Sequence, residues 1–169
     1  METLKCIETR ISVRKYINKP VPEKLLDVIL KAGMEAPSAR NLRPYKIHIL
    51  KNRAKLDYIA SLSPAKAMLV SCPLAILIAG RLDINPNKCY LQQDCSAVTQ
   101  NMLLAAHELG LGACWLGIQG HSEFQEEMKN VFELDDNSVP ISLIALGYAE
   151  VTPDPKPNRN QEEKVEVIE

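Results

Sequence analysis

The run Pro-Leu-Ala-Ile-Leu-Ile-Ala from Pro73 to Ala79 constrains this chain most, because it contains no polar side chain at all. A half-exposed strand would alternate apolar with polar residues, so this stretch reads as a strand buried on both faces. A second buried strand is expected over Val139–Gly147, and the alternation in Tyr45–Leu50 marks a third. Gln92–Leu109 contains neither Gly nor Pro and repeats Val98, Met102, Leu103, Ala106 and Leu109 at helical spacing, with Gly110 and Gly112 as its stop. Shorter helices are expected over 2–9, with Leu4, Ile7 and Ile11 on one side, and from Pro22 to a point before Pro37, with Leu25, Leu26, Ile29 and Leu30 as its apolar stripe. Two more follow over Arg53–Ser61 and Glu123–Phe132, and Ala113–Ile118 reads as a short strand or an extended loop.

The length of 169 residues, with 46% hydrophobic and 24% charged residues, fits a single domain over 1–169. A formal charge of -1 lacks the basic excess that phosphate-backbone binding needs, so nucleic acid is not an expected partner. The apolar stretch from Ala67 to Gly80 is interrupted by Ser71, Cys72 and Pro73 and is too short for a membrane span. Five cysteines, odd in number and without a CxxC pair, together with an N-terminus lacking the apolar run of a secretory signal, make the cytoplasm the expected compartment. His48, His107 and His121 have no metal-ligand spacing, so no metal site is expected and core or surface histidine is the default. A domain this small has little volume in which to enclose a large ligand alone.

Four constellations could carry chemistry. Arg10, Ser12 and Arg14 fall in the connection between two helices; if it is extended, all three share one side and could cradle a phosphate, the other reading being a solvated loop. The loop Ala36–Tyr45 (APSARNLRPY) is rich in turn residues, and Asn41 carries an amide able to pair with the edge of a heterocycle or with its own backbone. In Gly110–Ile118 (GLGACWLGI), Gly117 would admit a planar ligand close to the backbone, unless Trp115 simply marks a buried strand. Lys156 and Arg159 add two cations in the proline-rich tail.

In this order, RISVRKY, APSARNLRPY, GLGACWLG and the tail GYAEVTPDPKPNR resemble the motifs of the FMN-dependent nitroreductase family over essentially the whole chain. The first is similar to an RRSxRxF phosphate motif with Ile11 in place of a basic residue. The second resembles PSxxNxQPW, with Arg43 and Tyr45 in place of Gln and Trp. The tail resembles a K-x-x-R signature without the HYN ending of many members.

The resemblance implies an α+β fold, a mixed but mostly antiparallel sheet surrounded by helices, assembled as an intertwined homodimer with residues 151–169 wrapping the partner subunit. It implies an NAD(P)H oxidoreductase in which NADH or NADPH reduces FMN and an electron-poor nitroaromatic, quinone or flavin then takes the electrons in ping-pong fashion; a flavin-binding sensor or storage protein is the alternative. Arg10, Ser12, Arg14, Lys156 and Arg159 would bind the FMN phosphate and ribityl chain. Pro37, Ser38, Ala39 and Asn41 would approach from the other subunit, and Leu116 and Gly117 would sit beside the ring. Lys66 resembles a lysine near the pyrimidine side in some members. No side chain is required as general acid or base, and Cys114 is expected to pack rather than react.

Overall fold

A computed structural model describes residues 2–118, 122–151, 154, 157 and 164–168. Among them are five helices, α1 (Thr3–Thr9), α2 (Glu23–Met34), α3 (Arg53–Ser61), α4 (Lys88–Glu108) and α5 (Ser122–Phe132), and four strands, β1 (Tyr45–Leu50), β2 (Leu74–Arg81), β3 (Gly112–Gly117) and β4 (Ser138–Gly147). The sheet order is β1-β2-β4-β3 and each neighbouring pair is antiparallel. Parallel pairing among the described residues is confined to the isolated bridge between Ser12 and Ala113. The architecture is α+β.

The unbroken aliphatic run of β2 now has its reason. Ala75 and Leu77 point into one cluster, with Leu143 and Ala145 of β4, Leu56 and Ile59 of α3, and Phe124 and Met128 of α5. Leu74, Ile76 and Ile78 point into the other, with Ile144 and Leu146 of β4, Leu26 and Ile29 of α2, and Val98, Met102 and Ala106 of α4. Both faces of the two central strands are therefore covered, and the buried hydroxyl of Ser142 in β4 is matched by that of Thr99 in α4 at 2.6 Å. Pro140 pairs with Ala79 where the β2–β4 register shifts between Ile78 and Ala79, the kind of irregularity that tolerates a residue without an N–H.

Helix ends follow local chemistry. Asn87 accepts from the backbone N–H of Cys89 and starts α4 earlier than the apolar period indicates, while Asn52 accepts from the Lys55 N–H at the start of α3. Gly110, at φ +74, ends the connection out of α4 in the left-handed region. Gly33 lets α2 lie close on α4, since a Cβ there would fall 2.5 Å from Met102 Cε.

Two expectations change. The stripe Leu4 and Ile7 of α1 faces outward, and Cys6 is the buried residue of that helix, its thiol donating to the Leu104 carbonyl of α4. Residues Pro64–Val70, which carried no expected element, form a 3-10 helix with Pro64 at its start. The tail residues described, Val165, Val167 and Ile168 included, are exposed. Among the described residues, no helix is long and apolar enough to cross a membrane, and no group of His, Cys, Asp or Glu is arranged to hold a metal.

Candidate functional site

Residues 10–14 run extended alongside β3. The Val13 N–H donates to the Ala113 carbonyl at 3.0 Å, and Ser12 bridges Ala113. The approach is close because residue 112 is glycine: a Cβ there would lie 2.8 Å from Val13 Cβ. Val13 is buried, and so is Tyr16, whose hydroxyl lies 2.6 Å from the Val13 carbonyl as donor. With Val13 turned into the core, the alternation expected of an extended segment sets Ser12 and Arg14 on the opposite side. The field of Arg14, a hydrogen bond from Ser12 and the field of Arg10 all act on the Cys114 thiol and favour its charged form. Burial outweighs them and raises its pKa, so Cys114 is a packed, neutral thiol.

A cavity of about 980 Å³ opens on this segment. One wall is Arg14 with Cys114, Trp115, Leu116 and Gly117; a second is Ser63–Met68; Glu123 and Phe124 form a third. Among the described residues, nothing lies within 4 Å of where a Cβ on Gly117 would be, so the backbone there is open to an occupant. β3 is an edge strand, and every second N–H on its outer side is outside the ladder with β4. Lys66 Nζ sits 4.0 Å from the centroid of the Phe124 ring and 3.1 Å from Ser63 Oγ. Among the described residues, the cavity thus combines two cations, an apolar floor and uncharged backbone donors, with Glu123 as the one lining carboxylate.

Of the residues singled out in the sequence, Arg14, Leu116 and Gly117 line this cavity, and Arg10 and Ser12 lie beside it within electrostatic or hydrogen-bonding reach of Cys114. Lys156 and Arg159 lie outside the described residues. Pro37, Ser38, Ala39 and Asn41 do not line the cavity of their own chain. They form a separate loop, in which Ala39–Asn41 make a 3-10 turn and the Ala39 N–H donates to Asp94 Oδ1 of α4 at 2.9 Å. The Asn41 amide oxygen accepts from Arg43 Nε at 3.2 Å rather than from its own backbone. Met68, Ser63 and Phe124 also line the cavity, although they belong to none of the four sequence motifs. The Ser63-Pro64 pair, a helix-start signal, was the sequence cue to the wall they help build.

Comparison with known proteins places the whole chain in one family. The family model described as "Nitroreductase family" matches residues 7–71 and 65–148. A protein of Methanothermobacter thermautotrophicus, provisionally named NADH dehydrogenase/NAD(P)H nitroreductase, is 39% identical over 153 residues, covering 90% of this chain and 80% of its own. A solved structure from Parabacteroides distasonis with the same provisional name superposes with a TM-score of 0.93 at 35% identity, covering 98% of this chain and 96% of its own. A provisionally named nitroreductase of Desulfovibrio desulfuricans, solved in complex with FMN, superposes with a TM-score of 0.85 at 27% identity, covering 98% and 95%. The family model spans most of the chain and the Methanothermobacter relative is 39% identical across it, so the chain belongs to the nitroreductase family.

Proposed function

We propose that this protein is an FMN-dependent NAD(P)H oxidoreductase that reduces electron-poor acceptors, nitroaromatics, quinones or flavins, by ping-pong turnover in the cavity beside β3. The carrying observation is the cavity itself: a volume of about 980 Å³ with Arg14 on one wall and the open backbone of Gly117 further along it. Those residues fit FMN in kind. Guanidinium groups of Arg10 and Arg14 with the Ser12 hydroxyl suit a phosphate, because Arg donors match its oxygens in pairs. Gly117 and Leu116 offer backbone and apolar contact to a flat ring system. Lys156 and Arg159 would complete the phosphate and ribityl contacts.

Held by Arg10, Ser12, Arg14, Leu116 and Gly117, FMN would supply two-electron redox chemistry between NADH or NADPH and the acceptor. What the chain contributes is holding and charge. The β3 backbone keeps one side of the cavity fixed, since its strand is hydrogen-bonded to β4 from Gly112 to Gly117. Lys66 and Arg14 raise the local potential, which favours an occupant that gains negative charge on reduction. No lining side chain is assigned as acid or base.

The same reading makes the working unit a homodimer. In it, Pro37, Ser38, Ala39 and Asn41 of one copy complete the cavity of the other, and residues 151–169 wrap the partner. The outward apolar face of α1, with Leu4 and Ile7 exposed, supports such an assembly, as does the fact that loop 36–45 does not line the cavity beside β3 in its own chain. The test is anaerobic: NADH and NADPH are added separately to FMN-loaded protein, and the oxidised-flavin absorption is followed. Bleaching by either nucleotide, reversed by a quinone or nitroaromatic, is the expected result; failure of both nucleotides to bleach it rejects the reductase reading.

A further inference from the structure

Among the described residues, Asp94 is the one buried carboxyl group, at 5% exposure. Its Oδ1 accepts from the Ala39 N–H at 2.9 Å, while Oδ2 is buried without a hydrogen-bond partner among the described residues. For packing alone this is a poor residue, since an unmatched buried oxygen costs stability that a leucine or methionine would not lose. What an aspartate supplies here is an acceptor held rigidly by α4 and aimed at the tip of loop 36–45.

That loop needs an external restraint. Arg40, Asn41 and Arg43 have φ of +54, +55 and +50, a left-handed conformation that side-chain-bearing residues disfavour, and none is glycine. Ser38 Oγ accepts from the Arg43 N–H at 2.9 Å and Asn41 Oδ1 accepts from Arg43 Nε, but both bonds are internal to the loop. Among the described residues, the Tyr45 hydroxyl ties the end of the loop to the Met34 carbonyl of α2, and the bond from Ala39 to Asp94 fastens its tip to α4. Strained loops persist only where their surroundings over-determine them.

We infer that Asp94 is a positioning residue for the cofactor site: its carboxyl oxygen holds residues 37–41 in the shape that meets FMN in the other subunit. This rests on the function proposed above. Three variants separate the roles. Asp94→Ala removes the acceptor. Asp94→Asn keeps an acceptor oxygen and discards the carboxylate. Ala39→Pro removes the donor from the other end, and Ser38, at φ -140 and ψ 155, already has the extended backbone that a following proline requires.

FMN release from each holoprotein on dilution is read by flavin fluorescence, and hydrogen exchange is followed in the peptide covering 36–45. Asp94→Ala and Ala39→Pro should both weaken FMN binding about tenfold or more and speed exchange in that peptide, whereas Asp94→Asn should stay close to wild type in both. If Asp94→Ala does not fold, Ala39→Pro, which leaves the carboxyl in place, carries the test. Unchanged FMN affinity and exchange in Ala39→Pro and any folded Asp94→Ala overturn the assignment, as does an Asp94→Asn protein as impaired as Asp94→Ala. Wild type that takes up no FMN overturns instead the cofactor reading beneath it.

Discussion

Two segments of the proposed FMN site, residues 10–14 and loop 36–45, are held in place by opposite means. The first borrows its shape from the sheet: Val13 hydrogen-bonds to Ala113, its side chain is buried over Gly112, and an extended backbone does the rest. The second makes its own shape from three left-handed residues and a few side-chain bonds, with Asp94 as its tie to α4. A segment templated by a sheet can lose a side chain and keep its path. One that depends on discrete hydrogen bonds can lose its path with one atom.

Variants can break this contrast in order of expected size. Arg10→Ala combined with Arg14→Ala should cost roughly 3–5 kcal/mol of FMN binding, from lost charge-assisted contacts, without lowering the melting temperature of the FMN-free protein; isothermal titration and a thermal melt check both halves. Gly112→Val attacks the template itself. Its Cβ would overlap Val13, whose buried position leaves it little room to yield, so a loss of about 2–3 kcal/mol in denaturant stability is expected, with FMN binding weakened alongside. Arg40→Gly tests the second segment, since glycine accepts the left-handed backbone freely; an exposed arginine replaced there should leave stability unchanged or raise it by up to about 1 kcal/mol. A clear loss would show that the Arg40 side chain itself holds the loop.

A smaller effect concerns β1, the strand into which loop 36–45 runs. His48 has Nε2 buried without a partner among the described residues, and its ring meets Phe132 of α5 edge-on at 6.2 Å. Burial, then the charge of Lys46, push its pKa below the ordinary histidine value, with Arg81 adding to them and Asp135 opposing. The unfolded chain therefore binds a proton that the folded chain resists. Stability contributed by neutral His48 is complete above the unfolded pKa of about 6.5 and declines as pH falls through it towards the folded value. His48→Phe should flatten that slope in melts between neutral and mildly acidic pH, leaving the rest of the acid response in place.

The same contrast explains what could be read from the sequence. Strands whose two faces are both apolar are visible as runs, and β2 and β4 appear within a residue or two of their observed ends. The period of two in Arg10, Ser12 and Arg14 needs only an extended backbone to set the three on one side, and the sheet supplies it where Ser12 bridges Ala113. Nothing in APSARNLRPY announces left-handed φ at two arginines and an asparagine, because those angles are imposed by the closing bonds to Ser38 and Asp94, the latter far along the chain. For α1 the apolar spacing is real, but Leu4 and Ile7 stay exposed while α4 packs on Cys6. Periodicity identifies a face, while the neighbour that covers it is settled by tertiary structure. The Pro64–Val70 wall was marked only by its proline, too weak a signal to reveal that Lys66 would sit over Phe124.

The central claim, that the cavity beside β3 holds FMN, meets its most direct test in the visible absorption spectrum of the purified protein, recorded again after incubation with FMN and gel filtration. The account predicts the two bands of oxidised flavin travelling with the protein, close to one FMN per chain after loading. A preparation that stays colourless after loading would contradict it.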